Sequence, residues 1–175
     1  MDRSKWTFRL ARADELATLV AIDDDACTLY VEAGRDVDLP PEIDPFVIAE
    51  HARWRESIEH GRVTMAVDAD GAPIGFAALG LVDGEPHLQQ VSVRRRAMNR
   101  GIGRALVEHA IRWGRGTLWL TTYSDLAWNR PLYEKMGFVC VDEADCGPEL
   151  RRILVEERGA LPVPEARVAM VRRSK

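Results

Sequence analysis

The sequence predicts an α/β fold, a central twisted sheet of mixed strand direction flanked by helices. Three observations carry that expectation. Apolar residues recur at helical spacing in two stretches near the N-terminus, three hairpin-linked strand patterns fill the middle, and strand and helix patterns then alternate.

Taken in order, residues 6–11 (WTFRLA) read as a first strand, and Asp14 stands where it can cap the helix that follows. Leu16, Leu19, Ile22, Ala26 and Leu29 keep helical spacing up to Gly34. The stretch RDVDLPPEIDP, rich in Pro and Asp, predicts a loop. A second helix is expected from about Phe46 to Gly61, with Val47, His51, Trp54 and Ile58 on one face. RVTMAV alternates Val63, Met65 and Val67, DADGAP turns the chain into IGFAALGL, and Asp83-Gly84 signals a second hairpin before HLQQVSV. A helix from Gly101 to Trp113 is expected to bury Ile102, Ala105, Leu106, Ala110 and Trp113. Strand TLWLTT, short helix WNRPLYEKMG, strand FVCVDE, helix PELRRILVEERG and strand ARVAMVRR complete the series.

With 175 residues the chain suits one domain, 1–175, with its core at about 6–142 and an added helix and strand at 148–172. Hydrophobic residues make up 46% and charged residues 30%, the balance of an ordinary globular protein. A formal net charge of -4 argues against nucleic-acid partners, although Arg94, Arg95 and Arg96 stand together. Cys27, Cys140 and Cys146 form no CxxC pair and their spacing with histidines suggests no metal site, so reduced thiols and a cytoplasmic location are expected. No apolar run reaches membrane-spanning length, and MDRSKWTFRL is too polar for a signal peptide.

The informative junction is RAMNRGIGRAL. The strand VSV (Val91, Ser92, Val93) leads through a basic loop into a helix whose first residues include Gly101 and Gly103. A helix start exposes unpaired N–H groups and the positive end of the dipole, which suit an anion. Glycine allows close approach there, and Arg100 and Arg104 add charge-assisted bonds, with Arg94–Arg96 placed for a further phosphate. The pattern departs from a dinucleotide fingerprint, since position 106 is Leu and antiparallel strands precede it. It is not a P-loop either.

Together, VSVRRRAMNRGIGRAL and LYEKMGF resemble the GNAT superfamily of acyl-CoA-dependent N-acetyltransferases, whose motif is R/Q-x-x-G-x-G/A. The resemblance implies the GNAT acyl-CoA N-acyltransferase fold, acetyl-CoA as cosubstrate and no metal. It implies that Met98, Asn99, Arg100, Gly101, Ile102, Gly103 and Arg104 hold the pyrophosphate. Met98 departs from the usual Arg or Gln, a change that removes a side-chain contact and leaves the backbone amide. It implies that the backbone of Val91, Ser92 and Val93 pairs with the pantetheine arm, and that Tyr133 is the general acid. Where the family often has Asn this chain has Leu126; Asn129 either does that polar work from another turn or caps its helix.

Acetyl transfer needs a neutral amine, whose conjugate acid titrates near ~10.4 if lysine-like. It also needs a donor to the developing oxyanion, the amide of Val91 or a neighbour. A proton for the thiolate can come from the Tyr133 phenol, pKa about 10 in general. The family often places Glu where Gln90 stands, and an amide can at best orient substrate or water. Glu85 and His87 are alternatives, though a His at a hairpin end is more often a surface residue; otherwise water is the base or the amine arrives deprotonated. His51 and His109 read as packed or edge histidines. Asp23-Asp24-Asp25 reads as a solvated helix face, or as a source of negative potential favouring cationic amines. The expected acceptor is therefore a primary amine on a small molecule or protein. Another acyl donor, a hydroxyl acceptor or a non-catalytic CoA-binding module are the rivals. ARVAMVRR can pair at a sheet edge, within or between chains, and the second case allows a homodimer.

Overall fold

Capping and turn chemistry decide where each element begins. The computed structural model describes residues 5–36 and 44–174, so residues 37–43 of the expected Pro- and Asp-rich loop lie outside the described residues. The strands are β1 (Trp6–Leu10), β2 (Val63–Asp68), β3 (Pro73–Val82), β4 (Glu85–Val93), β5 (Leu118–Tyr123), β6 (Val139–Val141) and β7 (Arg167–Arg172). The helices are α1 (Leu16–Glu32), α2 (Pro45–Glu59), α3 (Ile102–Trp113), α4 (Arg130–Lys135) and α5 (Pro148–Ala160). The strands form one seven-stranded sheet in the order β1-β2-β3-β4-β5-β7-β6. Pairing is antiparallel at β1–β2, β2–β3, β5–β7 and β6–β7, and parallel between β4 and β5, where His87 lies opposite Trp119. The mixed α/β class read from the sequence is the one observed.

The chain divides into two compact units, Met1–Gly80 with Gln89–Ala110, and Leu81–Leu88 with Ile111–Lys175. In the first, β2 is buried along its length except at Asp68, so the strand is covered on both faces rather than on one. Adjacent residues of β3 show why. Phe76 packs edge-on against Trp54 of α2, ring centroids 5.4 Å apart. Gly75 points the other way, where an added Cβ would lie 3.5 Å from Leu106 of α3 and only 2.9 Å from the Ser92 carbonyl. Since neighbours on a strand face opposite sides, helices cover both faces here. Leu19, Ile22, Trp54, Ile58, Met65 and Phe76 form the core on the α1–α2 side.

Two expectations about helices need correction. Asp14 does not cap α1: Glu15 holds the cap position and makes no side-chain cap bond. Its buried carboxylate instead takes the Arg9 guanidinium with both oxygens, at 2.7 Å each, and accepts from the Arg12 amide at 2.8 Å. Trp113 is 37% exposed, and Val107 completes the α3 stripe with Ile102, Leu106 and Ala110. Ala105 is half-buried. Periodicity marks a face but cannot say where the layer covering that face stops. At α2 the capping rule operates as usual, with the Asp44 carboxylate accepting from the amides of Phe46 and Val47 and Pro45 opening the helix.

The Arg9 pair has a consequence for acid stability. Hydrogen bonds from the Arg9 guanidinium hold the Glu15 carboxyl down at about 2. Because the folded value lies below the unfolded one, the stabilisation is complete above the ordinary carboxylate range and is lost as pH falls through about 2. Glu15→Gln is expected to lose about 2 kcal/mol at neutral pH. Urea melts should show the gap from wild type closing as the solution is acidified.

In the second unit, Val82, Trp119, Leu150, Leu154, Ala169 and Val171 form a core under α5. Asp83 and Gly84 both take positive φ, 51° and 78°, as a two-residue hairpin requires. The Asp83 carboxylate then accepts from the amides of Glu149 and Leu150, capping α5 from another element. Strand β7 pairs with β5 on one side and β6 on the other, both within the chain. Of the two pairings open to it, within or between chains, the one seen is within the chain, and it is an internal strand.

Candidate active site

The loop after β4 is anchored by its own arginines. The Arg94 amide donates to the Ile74 carbonyl at 2.8 Å, and its guanidinium reaches the Pro73 carbonyl at 3.2 Å. The Arg95 amide donates to Asp25 Oδ2 at 2.7 Å, and its guanidinium holds both oxygens of Glu32 at 2.8 Å. Arg94 and Arg95, read as candidates for a further phosphate, are thus committed to positioning the loop. Arg96 makes a looser contact, 3.6 Å to Asp68.

Beyond the single turn Arg95–Ala97 the backbone alternates. Met98 is extended, and Asn99 and Gly101 have φ of 61° and 78° on either side of Arg100. Such alternation turns successive N–H groups toward one concavity, a form suited to anions. The Ala105 amide donates to the Gly101 carbonyl at 3.0 Å, the first turn of the helix that follows. Ile102, Gly103 and Arg104 are the first residues of α3, where amides have no intrahelical acceptor. An added Cβ at Gly101 would meet nothing within 4 Å, and one at Gly103 only Val93 Cγ2 at 3.7 Å, so the space beside the helix start is open. Arg104 lies on Glu108 at 2.9 Å, an exposed pair that holds it weakly.

On β4, Gln89 and Gln90 are neighbours, yet both side chains reach the helical layer of α1 and α2. Ser57 of α2 donates to Gln89 Oε1 at 2.8 Å, and Gln90 Nε2 donates to Asp23 of α1 at 2.5 Å. A regular pleat alternates faces, so the alternation of side chains is broken here within a strand that runs on from Glu85 to Val93. Ser92 Oγ donates to the same Asp23 oxygen, and Cys27 Sγ lies 3.6 Å from the other. Burial pushes the Asp23 carboxyl above its usual range, against the lowering effect of the bonds from Ser92 and Gln90. The solvated-face reading of Asp23-Asp24-Asp25 is therefore corrected at Asp23, which is turned onto β4, and at Asp25, which holds Arg95. The signal was present in the spacing, because position 23 follows Leu19 by one helical turn and so lies on the buried stripe.

In the other unit, Tyr133 is buried on α4, its ring edge-on to Phe138 at 5.6 Å. Two amides, of Met136 and Phe138, donate to the Tyr133 carbonyl, and Gly137 takes φ 89° to turn the chain into β6. Asn129 is buried and stands at the N-cap of α4, which it opens with its backbone carbonyl, while its side chain makes no cap bond. Leu126 is buried. His87 is buried on β4 at 5% exposure, so the surface reading of it is corrected, whereas Glu85 is exposed. His51 stacks near Trp54 at 5.3 Å and His109 meets Phe8 edge-on at 5.6 Å, both packed side chains. Among the described residues no group of His, Cys, Asp and Glu could hold a metal ion, and no helix is long and apolar enough to cross a membrane.

A sequence model of the acetyltransferase (GNAT) family matches residues 14–138. The chain belongs to the GNAT family. Its fold is shared with solved acetyltransferases at low identity. The PaiA N-acetyltransferase of Thermoplasma acidophilum, solved with coenzyme A, is 15% identical, with a TM-score of 0.69 over 97% of this chain and 99% of that one. A GNAT acetyltransferase of Staphylococcus aureus Mu50 is 14% identical, with a TM-score of 0.70 over 98% and 100%. The N-acetylglutamate synthase of Neisseria gonorrhoeae, solved with coenzyme A and N-acetyl-glutamate, is 18% identical with a TM-score of 0.65; the match covers 98% of this GNAT chain and 36% of the synthase. At such identities the likeness is one of fold. By family the GNAT chain is an acyltransferase.

Proposed function

We propose that the chain transfers an acetyl group from acetyl-CoA to a primary amine by direct attack in a ternary complex. The observation that carries this reading is the loop Met98–Arg104, where positive φ at Asn99 and Gly101 precedes a helix start with open space beside it. In a GNAT chain that feature suits the pyrophosphate of coenzyme A, held by the amides of Ile102, Gly103 and Arg104 and by the charge of Arg100 and Arg104. Met98 contributes least, since its own amide already contacts the Arg95 carbonyl at 3.3 Å.

Acetyl-CoA supplies an activated acyl group and a good leaving thiolate. The chain's residues do the rest. Backbone groups of Val91, Ser92 and Val93 align the pantetheine arm, and the interrupted pleat at Gln89–Gln90 supports the Val91 amide as donor to the thioester carbonyl oxygen. Tyr133 donates its phenolic proton to the departing sulfur. Asn129 adds a buried polar group one turn before Tyr133 on the same short helix.

Thiol release from acetyl-CoA, measured across polyamines, aminoglycosides, amino acids and a lysine peptide, tests the reading directly. Amine-dependent release supports transfer, hydroxyl-dependent release or use of a longer acyl-CoA supports another acyltransferase, and binding without release supports a sensor module. Gly101→Val forces a β-branched residue to φ 78°. The expected result is a roughly tenfold or larger loss of CoA affinity by calorimetry, and unchanged affinity would remove the loop from the binding site.

A further inference from the structure

A glutamine on β4 where an acidic residue is common leaves the acceptor amine without an evident charge partner. The packing of α1 on β4 answers this. Asp23 Oδ1 receives Gln90 Nε2 and Ser92 Oγ, two side chains two residues apart on one face of the strand. Burial raises this carboxyl, and the bonds from Ser92 and Gln90 act the other way, favouring its ionised form. Ionised, it only accepts, so it draws the NH2 end of the Gln90 amide inward and leaves Gln90 Oε1 outward. An outward carbonyl oxygen backed by a carboxylate is a polarised acceptor for an ammonium or amine N–H.

We propose that Asp23 supplies, from α1, the negative charge of the acceptor-amine site, acting through Gln90 as a positioning residue. This rests on the acetyl-transfer reading above. It makes the preferred acceptor a primary amine that binds as a cation, gives one proton to water and attacks as the neutral amine. Its nitrogen gains positive charge as it bonds to the carbonyl carbon and gives up a second proton to water as the thiolate leaves. Asp23 itself exchanges no bond. Of the groups around it, Cys27 donates from the same helix and favours the carboxylate, the charge of Asp24 opposes it, and the cation Arg95 is turned away onto Glu32. Arg94, the other nearby cation, is bonded to carbonyls of Pro73 and, at 3.4 Å, Ala21.

The test is an exchange of charge between the two positions. Asp23→Asn keeps an oxygen to receive Gln90 and Ser92 and removes only the charge, so CoA affinity and thermal midpoint should hold. For the best amine of the panel, kcat/KM should fall about 10- to 100-fold, the scale of a hydrogen bond to a charged group. The double variant Asp23→Asn with Gln90→Glu returns a carboxylate facing an amide, with the charge now on β4, and should recover most of that loss. A structural role for Asp23 would not be restored by moving the charge. Full activity of Asp23→Asn, or a folded, CoA-binding double variant as slow as the single one, overturns the proposal while leaving acetyl transfer standing. A wild type that binds CoA and acetylates no amine overturns both.

Discussion

Tyr133→Phe should lower kcat by about 10²- to 10⁴-fold, the range for losing a positioned general acid. CoA affinity should hardly change. The substitution removes one oxygen and keeps the ring, which packs edge-on against Phe138 at 5.6 Å, so α4 and its link to β6 stay intact. The expected signature is a fall in kcat and in kcat/KM together, because the lost interaction exists only as the sulfur departs. A donor acyl group with a better leaving thiol should be less affected, which separates proton donation from binding. Turnover equal to wild type would take Tyr133 out of the mechanism and leave it as a packing aromatic.

Trp54→Ala carries the largest expected loss of stability, about 3–5 kcal/mol, since it empties the space of a fully buried indole. Trp54 is 1% exposed and sits between Phe76 of β3 and His51 of its own helix. Its neighbours Leu19, Ile22 and Ile58 come from helices that cannot close the gap without leaving the sheet. Those same helices carry Asp23 and Ser57, whose bonds hold Gln90 and Gln89. The variant should therefore lose amine turnover at temperatures well below its unfolding midpoint. A shift under about 1 kcal/mol in urea melts would mean that the core repacks around the missing ring, as adaptable sites do.

The elements legible in the sequence were those whose causes are local. Hairpin signals at residues 68–73 and 83–84 and the apolar stripes of α1 and α2 each follow from neighbours within one or two turns. The glycine loop was legible for the same reason, because φ at Gly101 and a helix start are properties of a short segment. Reading failed where a side chain answered to a partner far along the chain. Asp14 looked like a cap until Arg9 drew Glu15 into that place, and Asp23 looked solvated until Gln90 and Ser92 were seen to face it.

The order of strands belongs to the second class. Nothing local in ARVAMVRR distinguishes an edge strand from one inserted between β5 and β6. Periodicity and short motifs alone were enough for the element types, the glycine loop at a helix start and the family. Only tertiary structure decided which arginines are spent on anchoring that loop, and that a carboxylate from α1 stands behind Gln90. Charge and hydrogen-bond partners are settled by distance in space, and 67 residues of chain separate Asp23 from the glutamine it holds.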